Sequence, residues 1–263
     1  MTMSKVIPRR DLNDLRYAKK LLENPSLAAK ITNYIGMPIE KAFRMLPPRW
    51  SDTVNQVTRI SLEKALNFAL TTIDDGASLR SSNRIHKMIV AITGAAGGAF
   101  GLAALAVELP ISTTVMLRSI ADVARSEGEP IKLPEAKLAC LEVFALGGRS
   151  KKDDSTETGY FAVRAGLNRA VSDAAQYISQ HGITHKGAPA IVRFVAEVAS
   201  RFGITVSEKV AAQAVPVLGA AGGALINTVF IDHFQDIARG HFIVRRLERK
   251  YGADIVKEEY LKL

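Results

Sequence analysis

A chain of 263 residues with 48 % hydrophobic content is long enough for one large domain or two small ones, and its one cysteine excludes an intrachain disulfide. The formal net charge of +9 is uneven: residues 1–87 hold 15 Lys/Arg against 8 Asp/Glu, and the remainder nearly balances. Aromatic content of 6 % beside abundant alanine favours closely packed helices over a bulky aromatic core.

The N-terminus lacks the apolar core and cleavage site of a signal peptide, so the bulk of the chain is expected in the cytoplasm. Asp11 is a good N-cap for a first helix that runs to Asn24-Pro25. Ser26 caps a second, which Gly36 interrupts. Pro38 opens a short helix ending near Leu46, and Pro47-Pro48 stops it. Residues 50–73 read as one long amphipathic helix closed by Asp74-Asp75-Gly76. After a polar link at 81–83, residues 84–126 form a helical hairpin in which Pro110 opens the second arm. A turn around Gly128 and Pro130 precedes a helix over 134–146, ended by Gly147-Gly148. Residues 149–156 are the best loop candidate. Helices follow near 157–180 and 187–202, with Gly182 and Gly203 as punctuation, and Ser207 caps another at 208–214. A helix from Pro216 reaches Ala238. A charged helix over 241–251 and a tail helix after Gly252 complete the chain. No strand hairpin is evident, so the class is all-α.

Two uncharged runs stand out, Met88–Val107 with twenty residues and Val210–Ile231 with twenty-two. In the first, Gly94, Gly97, Gly98 and Gly101 share one helical face; in the second, Gly219, Gly222 and Gly223 repeat the spacing. Interior glycine costs about 1 kcal/mol per residue relative to alanine, and close approach of a neighbouring helix is the usual compensation. The architecture expected is a multi-helix bundle around two pseudo-repeated Gly/Ala-rich apolar helical hairpins. Within one all-α domain over 1–263, residues 1–80 supply basic amphipathic helices and 81–263 two glycine-striped halves. Either run is long enough to cross a bilayer, but alanine and glycine supply little insertion energy. Spanning, interfacial insertion and a buried central hairpin all stay open. The first stripe also resembles the glycine turn of short-chain dehydrogenases. Phe100 stands where that turn needs its last glycine, no βαβ alternation follows, and Tyr-x-x-x-Lys is absent.

Glu108 is the sharpest candidate for chemistry. It falls near the glycine face, where a carboxylate needs a cation; His233 and Arg118 are the first options. With His233 the pair would form a pH-sensitive latch. The alternative is a solvated Glu108 at a helix end. His181 and His185 are i, i+4, but Gly182 lies between them and no third ligand is evident, so no metal or other cofactor is expected. Cys140 reads as core filler. Nucleic acid is not expected either, for want of a recognition helix, zinc spacing or aromatic–basic interleaving. The basic flank beside an apolar run points to an anionic lipid surface.

In order along the chain stand Pro38-Ile39-Glu40, the Gly94–Gly101 stripe, Glu108-Leu109-Pro110 with Thr113 and Arg118, Ile120-Ala121-Asp122-Val123-Ala124, and Gly128. Later come Pro216 with Gly219, Gly222, Gly223 and Asn227, and a closing run of Phe242, Arg245-Arg246-Leu247-Glu248 and Tyr251-Gly252. In this series the chain resembles the EcsC family over nearly its full length. The resemblance implies a hydrophobic, membrane-associated bacterial protein encoded beside an ABC transporter, and assigns no catalytic residue. The function expected is a non-enzymatic helical protein at the inner face of the cytoplasmic membrane, binding lipid or assisting a transporter or other membrane complex. The alternatives are a soluble helical protein with an apolar cavity for an acyl or amphiphilic ligand, and a hydrolase using Glu108 and His233.

Overall fold

The computed structural model describes residues 7–23, 26–73, 102–148, 159–182, 188–215 and 219–263. Among them are ten helices and no strand: α1 Arg9–Leu22, α2 Leu27–Ile35, α3 Ile39–Phe43, α4 Trp50–Thr72, α5 Leu102–Ser126, α6 Pro134–Leu146, α7 Gly159–His181, α8 Pro189–Gln213, α9 Gly219–Tyr251 and α10 Ala253–Lys262. The class is all-α, a multi-helix bundle. The stripe Gly94, Gly97, Gly98 and Gly101, the proposed loop 149–156 and His185 lie outside the described residues. Gly219 opens α9, with Gly222 and Gly223 buried in its first turns.

Many local signals act as the sequence implies. The Ser26 hydroxyl accepts from the Ala29 N–H at 3.3 Å, and Gly36 ends α2 in the left-handed region. Pro38 precedes α3, and α6 has the expected bounds. Gly252, at φ 100°, separates α9 from α10.

Four expectations are corrected. Asp11 is not the N-cap of α1. The helix opens at Arg9 after an extended Pro8, which puts Asp11 in the first turn, buried. Pro110 does not start a new helix but sits inside α5. An interior proline costs about 3 kcal/mol. Here Leu105, Leu109, Met116, Leu117 and Ile120 are all buried along α5. At about 1.5–3 kcal/mol per large apolar side chain, that burial outweighs the missing bond. Gly203 does not divide α8: Phe202, Val206 and Val210 stay buried across it, and the Ser207 hydroxyl donates to the Gly203 carbonyl at 2.6 Å instead of capping a helix. The separate helices read at 216–238 and 241–251 are one, because Gly240 lies where α1 crosses α9. A Cβ there would meet Leu22 Cγ at 2.7 Å and the Ala18 carbonyl at 3.0 Å.

At the centre lies α6, in which every residue from Ala136 to Leu146 is buried, the mark of a helix enclosed on all sides. It packs on α4, α5, α7, α8 and α9. Phe144 meets Phe202 of α8 at 4.8 Å and Phe234 of α9 at 5.4 Å between ring centroids, and Phe230 meets Phe234 at 5.1 Å. Four phenylalanines thus meet where three helices join. Beyond α6, α9 also touches α1, α2, α5, α8 and α10.

Candidate functional site

Two polar centres are buried in the bundle, and one basic face is left outside it. The first centre is Glu108 on α5, 3 % exposed, whose Oε1 accepts from Lys209 Nζ of α8 at 2.5 Å. Lys209 is fully buried, with its ammonium 4.9 Å from the centroid of the Phe230 ring on α9. Burying both ions costs several kcal/mol each, offset here by direct contact and the ring's negative face. Glu108 is buried and faces a cation, but that cation is Lys209, and neither His233 nor Arg118, the partners expected from the sequence, is shown bonded to it. Arg118 is ten residues further along α5, about 15 Å up the axis. His233 Nε2 bonds the Gly147 carbonyl at 2.9 Å, donating to an acceptor that the end of α6 leaves open. Lys209 was legible only if α8 is continuous: it then shares a stripe with Phe202, Thr205 and Val206, all buried.

The second centre surrounds the C-terminal half of α9 and was not anticipated as a cluster, although Arg245 and Glu248 stand in the closing run. Arg164 of α7 bonds both carboxylate oxygens of Glu248 at 2.8 and 2.9 Å. It also donates to the Tyr160 hydroxyl at 3.2 Å, which lies 2.9 Å from His241 Nδ1. Arg245 bonds both oxygens of Glu129, in the turn after α5, at 2.9 and 3.0 Å, and Arg249 reaches the same carboxylate. Glu142 of α6 is buried beside these groups, with Oε1 lacking a hydrogen-bond partner.

Burial sets the protonation of this centre. It pushes the Glu142 carboxyl up, with Arg164 opposing. It pushes His241 well below the usual histidine range, helped by Arg164 and Arg245. It raises the Tyr160 phenol and pushes the Cys140 thiol up to about 12. Histidine is neutral here, and phenol and thiol keep their protons, so the arrangement favours a fixed network over an activated nucleophile. Among the described residues no group of three His, Cys, Asp or Glu is placed to hold a metal. His181 Nδ1 lies 3.3 Å from the Tyr177 carbonyl oxygen and its ring stacks on Tyr177.

On the outside, both carboxylates of α1 are paired with cations of α9, and Asp11 is buried. Asp11 Oδ2 accepts from Lys250 Nζ at 2.7 Å and from the Tyr251 hydroxyl at 2.5 Å. These bonds hold Asp11 below its ordinary value, the one from Lys250 contributing most. Asp14 accepts from Arg246 at 2.8 Å. Arg9, Arg10, Arg16, Tyr17 and Lys20 are left exposed. Among the described residues no helix is long and apolar enough to cross a membrane.

No curated protein and no solved structure matches this chain. The EcsC protein family matches residues 9–247, a span that takes in Glu108, Lys209 and most of the second centre, with Glu248 and Arg249 just beyond it, and that covers α1 to α8 and all but the last turn of α9. By that match the chain belongs to the EcsC protein family.

Proposed function

We propose that this is a non-enzymatic, membrane-associated helical protein that binds lipid or assists a membrane complex, such as a transporter, from the cytoplasmic side. The observation that carries the reading is the outward side of the two helices that emerge from the uncharged runs. Val107 of α5 is 66 % exposed, more than any other large apolar side chain among the described residues, and Ile111, one turn on, is 41 % exposed. Leu225 of α9, the helix packed against α5, is 42 % exposed. A single exposed apolar residue is ordinary. These three lie in stretches without charge, on helices whose opposite sides bury Leu109 and Asn227. The non-enzymatic part is supported by Glu108 and His233 being committed to Lys209 and the Gly147 carbonyl.

Cell fractionation tests the proposal. The protein is expected in the membrane pellet at low salt, and the triple variant Val107→Ser, Ile111→Ser, Leu225→Ser is expected to shift toward the supernatant while keeping its helicity. Recovery of the unmodified protein wholly in the high-speed supernatant at low salt would overturn it.

A further inference from the structure

We propose that the outward face of α1 is the surface by which the protein lies on an anionic bilayer, an inference that rests on the membrane reading above. On a helical wheel, Arg9, Asn13, Arg16 and Lys20 fall on one narrow stripe, and Arg10 and Tyr17 lie beside it, toward the flank of the helix. All six are exposed, while Asp11, Leu15, Ala18, Leu21 and Leu22 face the bundle. The composition of α1 alone would not make this face basic: it has two aspartates. The structure buries Asp11 against Lys250 and Tyr251, and pairs Asp14, on the flank of the helix with 37 % of its side chain exposed, with Arg246. Lys19 is likewise withdrawn, bonding the Tyr260 carbonyl at 3.1 Å. The exposed residues of the helix are four cations, one amide and one tyrosine; of the carboxylates beside them, Asp14 is paired with Arg246 and Glu23, just past the last turn, lies 4.0 Å from Lys19.

That combination fits lipid phosphates better than a folded partner. Cations on long stems reach headgroups at varied heights, and a tyrosine 48 % exposed can lay its ring at the headgroup level with its hydroxyl in water. A helix lying flat on the surface would bring all four cations within one Debye length of it.

The test is co-sedimentation of the full chain with vesicles of phosphatidylglycerol and phosphatidylcholine in equal parts, and with phosphatidylcholine alone, at low and high salt. Three proteins are compared: the unmodified chain, an α1 variant (Arg9→Gln, Arg10→Gln, Arg16→Gln, Lys20→Gln), and a control (Arg59→Gln, Lys64→Gln, Arg169→Gln, Arg193→Gln). The two variants have the same net charge and differ only in which exposed cations are lost. Circular dichroism checks that each keeps its helicity. The α1 variant is expected to bind phosphatidylglycerol vesicles on the order of a thousand-fold more weakly, and the control to bind within a few-fold of the unmodified chain. Equal losses in both variants, or no loss in the α1 variant, would overturn the assignment to α1 while leaving membrane binding in place. Equal binding of the unmodified chain to both vesicle types would do the same. Tighter binding to a single-stranded RNA oligonucleotide than to the anionic vesicles would overturn the choice of partner. Binding to neither vesicle type would remove this inference together with the reading it rests on.

Discussion

At the scale of single residues, the buried charges decide stability. Lys209→Met leaves Glu108 unpaired in the core and is expected to destabilise the fold by about 3–5 kcal/mol in urea unfolding. The double variant Glu108→Gln, Lys209→Met removes both ions and is expected to recover most of that loss; a double variant no more stable than the single would contradict it. His241 and Glu142 shape the pH dependence in opposite directions. The folded pKa of His241 lies well below 6.5, so below about pH 6.5 the unfolded chain binds the extra proton and stability falls as pH falls. In His241→Gln this acid limb should be shallower. Glu142 has a folded pKa above 4.5, so the folded chain holds the extra proton above that value, and stability is lost as pH rises until the folded pKa is passed. Relative to the unmodified protein, Glu142→Gln should therefore gain stability as pH rises through that window, by up to about 1.4 kcal/mol per pH unit. Thermal melts of the three proteins between about pH 4 and 8 read both limbs; parallel curves for Glu142→Gln and the unmodified chain would show that Glu142 does not carry this proton.

At the scale of elements, the glycines inside long helices are not equivalent. A Cβ at Gly240 would meet Leu22 Cγ at 2.7 Å and the Ala18 backbone carbonyl at 3.0 Å, whereas at Gly203 it would meet only Asn55 Oδ1 at 3.7 Å. Alanine gains about 1 kcal/mol in either helix. At Gly240 overpacking costs about 1–3 kcal/mol, so Gly240→Ala is expected to lower the melting temperature and Gly203→Ala to raise it. The same contrast explains which elements were legible. Ser26, Pro38, Gly36 and Gly252 act through their own backbone, so their caps and stops could be read locally. Gly203, Pro110 and Gly240 resemble breaks, but contacts from other helices hold the chain helical through them, and those contacts are invisible in one dimension. The site divided likewise. The burial of Glu108 was legible from its setting, while Lys209 is 101 residues away and could be found only once α8 was known to be continuous. The cluster around His241 joins α6, α7, α9 and the turn after α5, and no spacing within one stretch encodes it.

At the scale of the whole molecule, α9 unites the chain. It carries the cations Arg245, Arg246, Arg249 and Lys250, which hold Glu129 and Glu127 beyond α5 and Asp14 and Asp11 of α1. A chain ending at Ala238 would lack all four, along with the glycine that lets α1 approach. Limited proteolysis of such a truncation is expected to cut within α1 at protease concentrations that spare it in the full chain; equal resistance would show that α1 is held by other means. The arrangement also sets an order of events during synthesis. Asp11 and Lys250 stand 239 positions apart, so α1 leaves the ribosome long before the residues that hold it. Until α9 has been made, its oily side and its two aspartates have nowhere native to go. A chaperone, or the lipid surface itself, would find it open throughout that interval.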